Sequence, residues 1–105
     1  MMGEALKGHL DMLLLAVLAE GPVHGYMVIE ALRERSGGTF DLPEGTVYPA
    51  LHRLEVDGLL ASEWTGLGGR RRRVYHLTPA GTRRLAQRQQ EWRQFSRAVE
   101  ATIAI

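Results

Sequence analysis

The chain has 105 residues, 45% hydrophobic and 24% charged, which is the size and balance of one globular domain rather than a disordered tract. It has no cysteine, which excludes disulfide scaffolds, thiolate metal sites and thiol nucleophiles. No apolar run reaches the ~18 residues that span a bilayer, and the start lacks the basic and cleavable segments of a signal peptide, so a soluble cytoplasmic protein is expected.

The net charge of +1 conceals a split, because residues 1–65 sum to −6 and residues 66–105 to +7. Such a split fits a polyanion contact through the second half, or pairing of the two halves within the fold.

Residues 5–20 are predicted to form a first helix, with Leu10, Leu13, Leu14, Val17 and Leu18 on one face at helical spacing. Met12, Leu15 and Ala16 carry the apolar surface nearly all the way round. A helix apolar on every side needs cover on every side. So small a domain buries only about two-thirds of its unfolded surface, so a second copy is the expected cover. Gly21-Pro22 ends this helix, since glycine accepts the cap conformation and proline cannot continue the ladder.

Residues 24–35 are predicted as a second helix, with Tyr26, Ile29 and Leu32 inward and Glu30, Arg33, Glu34 and Arg35 outward. Residues 43–57 are predicted as a third, with Val47, Leu51 and Leu54 inward. Pro43 suits the first turn, whereas Pro49 removes a bond to the carbonyl of Gly45 and should bend the helix near its start. Gly58 closes it. Two strand-like segments, residues 59–65 and 71–77, flank Gly66-Leu67-Gly68-Gly69 as a hairpin. Thr78 is a good N-cap and Pro79 a good first residue for a last helix reaching about residue 102. Along it Leu85, Trp92 and Val99 recur every seven residues, beside Phe95 and Ile103, the pattern of helix-on-helix packing. The expected class is mainly α with a small β-hairpin. Residues 1–78 form the body, and residues 79–105 form a helix that packs on a second subunit.

Three places carry candidate chemistry. On the third helix Thr46, Tyr48, Pro49, His52 and Arg53 point outward. They form either an ordinary solvated face or a set of groups that reach phosphates and base edges in a major groove. Glu44, Glu55 and Asp57 on the same helix would repel phosphate. Arg70, Arg71, Arg72 and Arg73 are consecutive, and on an extended segment alternate ones face opposite sides, so at most two or three can meet one phosphate strand or enter one minor groove; the other reading is a solubilising loop. On the last helix Arg83, Arg84, Arg88, Arg93 and Arg97 lie mostly off the seam as a solvated face. Trp92 is either a packing residue of the seam or one wall of a flat cavity for an aromatic ligand. No enzyme is expected, because His9, His24, His52 and His76 show no metal-binding spacing, no phosphate loop is present and no site constellation emerges. No cofactor and no metal are expected.

Several stretches together resemble one family. They are Leu10–Glu20 with Gly21-Pro22, His24-Gly25-Tyr26, the run from Glu44 to Glu55, Gly58-Leu59-Leu60, Gly69-Arg70-Arg71-Arg72 and Leu77-Thr78-Pro79-Ala80-Gly81. The chain is similar over about residues 5–103 to the PadR family of bacterial transcriptional regulators, in the short subgroup with one C-terminal helix. The resemblance implies a winged helix-turn-helix of residues 1–78, a dimerisation helix of residues 79–105, and a homodimer that binds an inverted-repeat operator and represses. It implies a recognition helix carrying Thr46, Tyr48, Pro49, His52 and Arg53, a wing of Gly69, Arg70, Arg71 and Arg72, and a phosphate contact by Tyr26. It also implies a dimer seam of Leu10, Leu14, Leu85, Trp92, Phe95, Val99 and Ile103, with Trp92, Leu14 and Phe95 as the wall for an aromatic effector. The chain departs from the pattern at Pro43, where many relatives have a small polar N-cap. The rival expectation is a winged-helix protein-interaction module without DNA binding.

Overall fold

The first twenty residues do not form one helix. In the computed structural model, which describes residues 2–66 and 71–104, α1 spans Met2–Lys7 and α2 spans Leu10–Leu18. The break falls at Gly8-His9, where glycine has little helix propensity. The His9 N–H closes a tight turn on the Leu6 carbonyl at 2.9 Å. The all-round apolar character of α2 has a different cause from the one expected. Leu10, Met12, Leu14, Leu15, Val17 and Leu18 are all buried in the chain's own core, because α2 packs on α3, α4, α5 and the sheet at once.

The remaining order is β1 (Val23–His24), α3 (Gly25–Arg35), α4 (Glu44–Val56), β2 (Leu60–Thr65), β3 (Arg72–Leu77) and α5 (Pro79–Ile103). The hairpin is joined by a third strand that the sequence reading missed. The sheet order is β1-β3-β2, antiparallel throughout, with Val23 opposite Tyr75 and His24 opposite Val74. Two residues are too few to show a period of two. The register of β2 on β3 runs from Leu60 opposite Leu77 to Thr65 opposite Arg72.

Residues Val28, Ile29 and Leu32 of α3 and Val47, Ala50, Leu51 and Leu54 of α4 close over α2. At the end of α4 the Leu59 N–H reaches the Leu54 carbonyl at 2.9 Å and the Gly58 N–H reaches the Glu55 carbonyl at 3.0 Å. This paired cap needs a left-handed residue, and Gly58 supplies it at φ +78°. Leu54 and Leu59 are both buried beneath the turn.

Thr78 then ties three elements together. Its hydroxyl donates to the Gly58 carbonyl at 2.6 Å and accepts the Gly81 N–H at 3.0 Å. Its own N–H meets the Leu59 carbonyl at 3.2 Å. The first turn of α5 lies so close to that strand start that a side chain on Gly81 would strike the Leu59 carbonyl oxygen. Beyond Leu85 the helix leaves the core. Trp92, Phe95, Val99 and Ile103 are 40%, 58%, 36% and 63% exposed, and the molecule is 59 Å long but only 28 by 20 Å across.

Candidate nucleic-acid interface

α4 buries one face and offers the other. Val47, Ala50, Leu51 and Leu54 are fully covered, while Pro49, His52 and Arg53 are exposed and Thr46 is half-exposed. Pro43 stands at the N-cap with no side-chain cap; its carbonyl instead accepts the Thr46 and Val47 N–H groups at 3.0 and 3.2 Å. The helix runs through Pro49 to Val56. Glu44 in the first turn suits the positive end of the helix dipole.

Tyr48 is not the free outward group expected. Its ring is half-buried against the start of α3, where a Cβ on Gly25 would come within 2.6 Å of Tyr48 Cε1. Burial pushes the Tyr48 hydroxyl above its ordinary pKa, with Glu44 and Tyr26 adding to the effect. Tyr26 is more than half exposed beside it. Arg53 is exposed, but its guanidinium is paired with the Asp11 carboxylate of α2. Exposed pairs of this kind contribute about 0–1 kcal/mol, so the tie orients Arg53 without committing it.

The strands flank this face. Arg71 and Arg72 are exposed, whereas Arg73 is engaged. The Arg73 Nε donates to the Ser62 hydroxyl at 2.8 Å, and that hydroxyl donates to Glu55 of α4 at 2.7 Å. The Arg73 guanidinium also lies 3.5 Å from the same carboxylate. The Trp64 ring, opposite Arg73 in the register, carries Arg73 at 5.2 Å and Arg71 at 5.6 Å from its centre. Arg72 opposes Thr65 on the other side of the hairpin. Gly69 and Arg70, expected at the wing tip, lie outside the described residues.

The expected seam divides in two. Leu10, Leu14 and Leu85 belong to the chain's own core, so they offer no surface to a second copy. Leu14, wholly covered, forms no wall of an effector site. The outer half is exposed as expected. Trp92 packs edge-on against His9 at 4.9 Å and beside Phe95 at 6.2 Å. These three residues, with Arg88 and Glu91, line a groove of about 280 Å³. The other side of Trp92, with Leu6, His9, Met12, Leu13 and Phe40, lines an apolar hollow of about 360 Å³. Arg88 donates to the Gly8 carbonyl at 2.8 Å and so holds the break between α1 and α2 against α5.

Sequence reasoning missed Asp11, Ser62 and Trp64 as parts of this surface and took Glu55 only as a charge that repels phosphate. The one signal available was the alternation along the hairpin, which places Trp64 and Arg73 on a common side once the register is known. Among the described residues no group of His, Asp and Glu side chains is placed to hold a metal ion. No helix among them is long and apolar enough to cross a membrane.

The chain is similar to known proteins over most of its length. Residues 14–87 match the model of the transcriptional regulator PadR-like family. A transcriptional regulator of Mycobacterium tuberculosis is 43% identical over 81 residues, which cover 77% of this chain and 73% of the relative. A transcriptional regulator from Clostridium thermocellum superposes with a TM-score of 0.88 at 28% identity, over 95% of this chain and 98% of the other. A PadR family transcription regulator from Clostridium difficile gives 0.81 at 33% identity, over 91% and 99%.

Proposed function

We propose, for a chain that belongs to the PadR-like family of transcriptional regulators, that it binds an inverted-repeat operator as a homodimer in the cytoplasm and represses transcription. The observation that carries this reading is the exposed face of α4, with Thr46, Pro49, His52 and Arg53, beside a hairpin that carries the exposed Arg71 and Arg72. A helix with one buried and one polar face fits a major groove, and arginines on an adjoining hairpin fit the phosphate strand beside it. Tyr26, at the start of α3, supplies a further phosphate contact. Gly69 and Arg70 are further proposed contacts, on sequence grounds alone. The family belongs to regulators rather than enzymes.

The homodimer reading rests on Trp92, Phe95, Val99 and Ile103. Four large apolar side chains left open along one helix are a contiguous surface that water disfavours. Their spacing fits a second helix. A flat aromatic effector is the ligand that suits the groove beside Trp92 and Phe95.

The test is a gel shift and footprint on the DNA upstream of the chain's own gene, repeated across salt. We expect protection of an inverted repeat. Changing Arg71 and Arg72 to Ala in both subunits removes four charges, so the salt slope should drop by about three to four. Absence of binding at low salt would overturn the operator reading and favour a protein-interaction module.

A further inference from the structure

An acidic residue in the last turn of a helix that faces DNA is doubly unfavourable. It opposes the negative end of the helix dipole, and it repels phosphate. Glu55 occupies that position on α4, one residue before the helix ends at Val56. We propose that Glu55 is a positioning residue of the DNA-binding surface. Through Ser62 and Arg73 it sets the wing against α4, and so aims Arg71, on the same side of the strand as Arg73, at the phosphate strand. This rests on the DNA-binding reading above.

The geometry forms a continuous path from helix to wing. Glu55 is only 24% exposed and accepts the Ser62 hydroxyl at 2.7 Å. The Ser62 oxygen in turn accepts the Arg73 Nε–H at 2.8 Å. Serine has one hydroxyl proton, so once that proton points at Glu55 its oxygen is left to face Arg73, and the three groups hold one mutual orientation. Arg73 passes the constraint outward, because its guanidinium and that of Arg71 both lie over the Trp64 ring. Arg73 is therefore the arginine that fixes the wing, and Arg71 is left to meet the ligand on that side.

The wing needs this support at this level. β1 pairs only with Val74 and Tyr75, so beyond Val74 the sheet is a two-stranded hairpin. A two-stranded hairpin is marginal by itself in water. Glu55, Ser62 and Arg73 join it to α4 where the third strand gives out.

Positioning and plain electrostatics predict opposite orders of affinity, which makes the test decisive. Three variants of the full chain are titrated with a mixed-sequence duplex and with the footprinted site. Glu55→Ala removes both charge and tie, Glu55→Asp keeps the charge but shortens the reach, and Glu55→Gln drops the charge but keeps an acceptor in place. Positioning predicts that Glu55→Ala binds about three- to tenfold more weakly, within the lower part of the range of coupling in such networks. Protections flanking the α4 footprint should be lost first. Glu55→Asp should lie between Glu55→Ala and the wild type, and Glu55→Gln should restore most of the flanking protection. Charge repulsion alone predicts that Ala and Gln both bind more tightly and that Asp matches the wild type, and that order would overturn the proposal.

A second readout needs no DNA. In a Trp92→Phe background Trp64 is the remaining tryptophan, and Glu55→Ala should make its fluorescence more accessible to acrylamide. Unchanged quenching would also overturn the proposal. If Glu55→Ala fails to fold, Glu55→Asp carries both measurements. A wild-type protein that binds no duplex at low salt would refute the DNA-binding reading, and this proposal with it. Binding by the wild type and equal flanking protection by Glu55→Ala would refute this proposal alone.

Discussion

Replacing Thr78 by Val should loosen the joint between α4, the sheet and α5 while leaving the shape of the side chain unchanged. The residue sits at φ −86° and ψ 167°, extended backbone that suits a branched side chain, so the change removes one hydroxyl and little else. Two bonds go with it. The cap on the Gly81 N–H is worth about 1 kcal/mol, within a measured range of about 0.5–2. The bond to the Gly58 carbonyl adds about 0.5–1.5 kcal/mol, and less if water replaces it. The total is about 1.5–2.5 kcal/mol, and at about 4–8 °C per kcal/mol for a domain near this size the melting temperature should fall by about 10 °C. Thr78→Ser keeps both bonds and should stay within about 0.5 kcal/mol of the wild type. Urea unfolding followed by circular dichroism, at one fixed protein concentration because association shifts the midpoint, gives all three stabilities. A valine variant as stable as the serine variant would refute the assignment of the joint to this hydroxyl.

Gly81→Ala should also destabilise, by about 1–3 kcal/mol for an overpacked site, because its methyl would strike the Leu59 carbonyl oxygen. Ala80→Gly next to it, measured in the same urea series, should cost about 1 kcal/mol or less. Leu14→Ala should cost about 2–5 kcal/mol in the same assay without changing self-association, since Leu14 is wholly inside the chain. Phe95→Arg should do the reverse in analytical ultracentrifugation, giving monomers, because Phe95 lies on the open stripe of α5. Alkaline titration follows from the tyrosines. Burial raises Tyr48, and it raises Tyr75 against the opposing pull of Arg73. Their neutral forms therefore favour the folded state. That stability is complete below about pH 10, the unfolded value, and is lost as pH climbs through the raised folded values. The double change of Tyr48 and Tyr75 to Phe should flatten the fall in urea stability above that pH.

Much of the surface was legible because periodicity reports which side of an element is dry. Val47, Leu51 and Leu54 at helical spacing correctly left Pro49, His52 and Arg53 outside. Thr78-Pro79 correctly marked the start of α5, since capping is a local property of the backbone. Tyr48 was misjudged because a ring at the edge of a helix face swings either way. It lies over Gly25 because that glycine leaves room for it.

What the sequence by itself determined is the set of elements and their dry faces, together with the run of arginines, for these follow from propensity, spacing and charge within a few turns of chain. What only the tertiary structure decided is the use of each side chain where separate elements meet. The all-round apolar stretch from Leu10 to Leu18 looked like an interface and proved to be the centre of the core. Of the described arginines Arg71, Arg72 and Arg73, the last reaches Ser62 and the Glu55 carboxylate. Glu55, read along the chain as a charge that repels DNA, stands in space as the partner of Arg73. A linear pattern records that a residue is apolar or charged; which partner satisfies it depends on contacts between residues distant in the chain, and these exist only once the helices and the sheet have closed on one another.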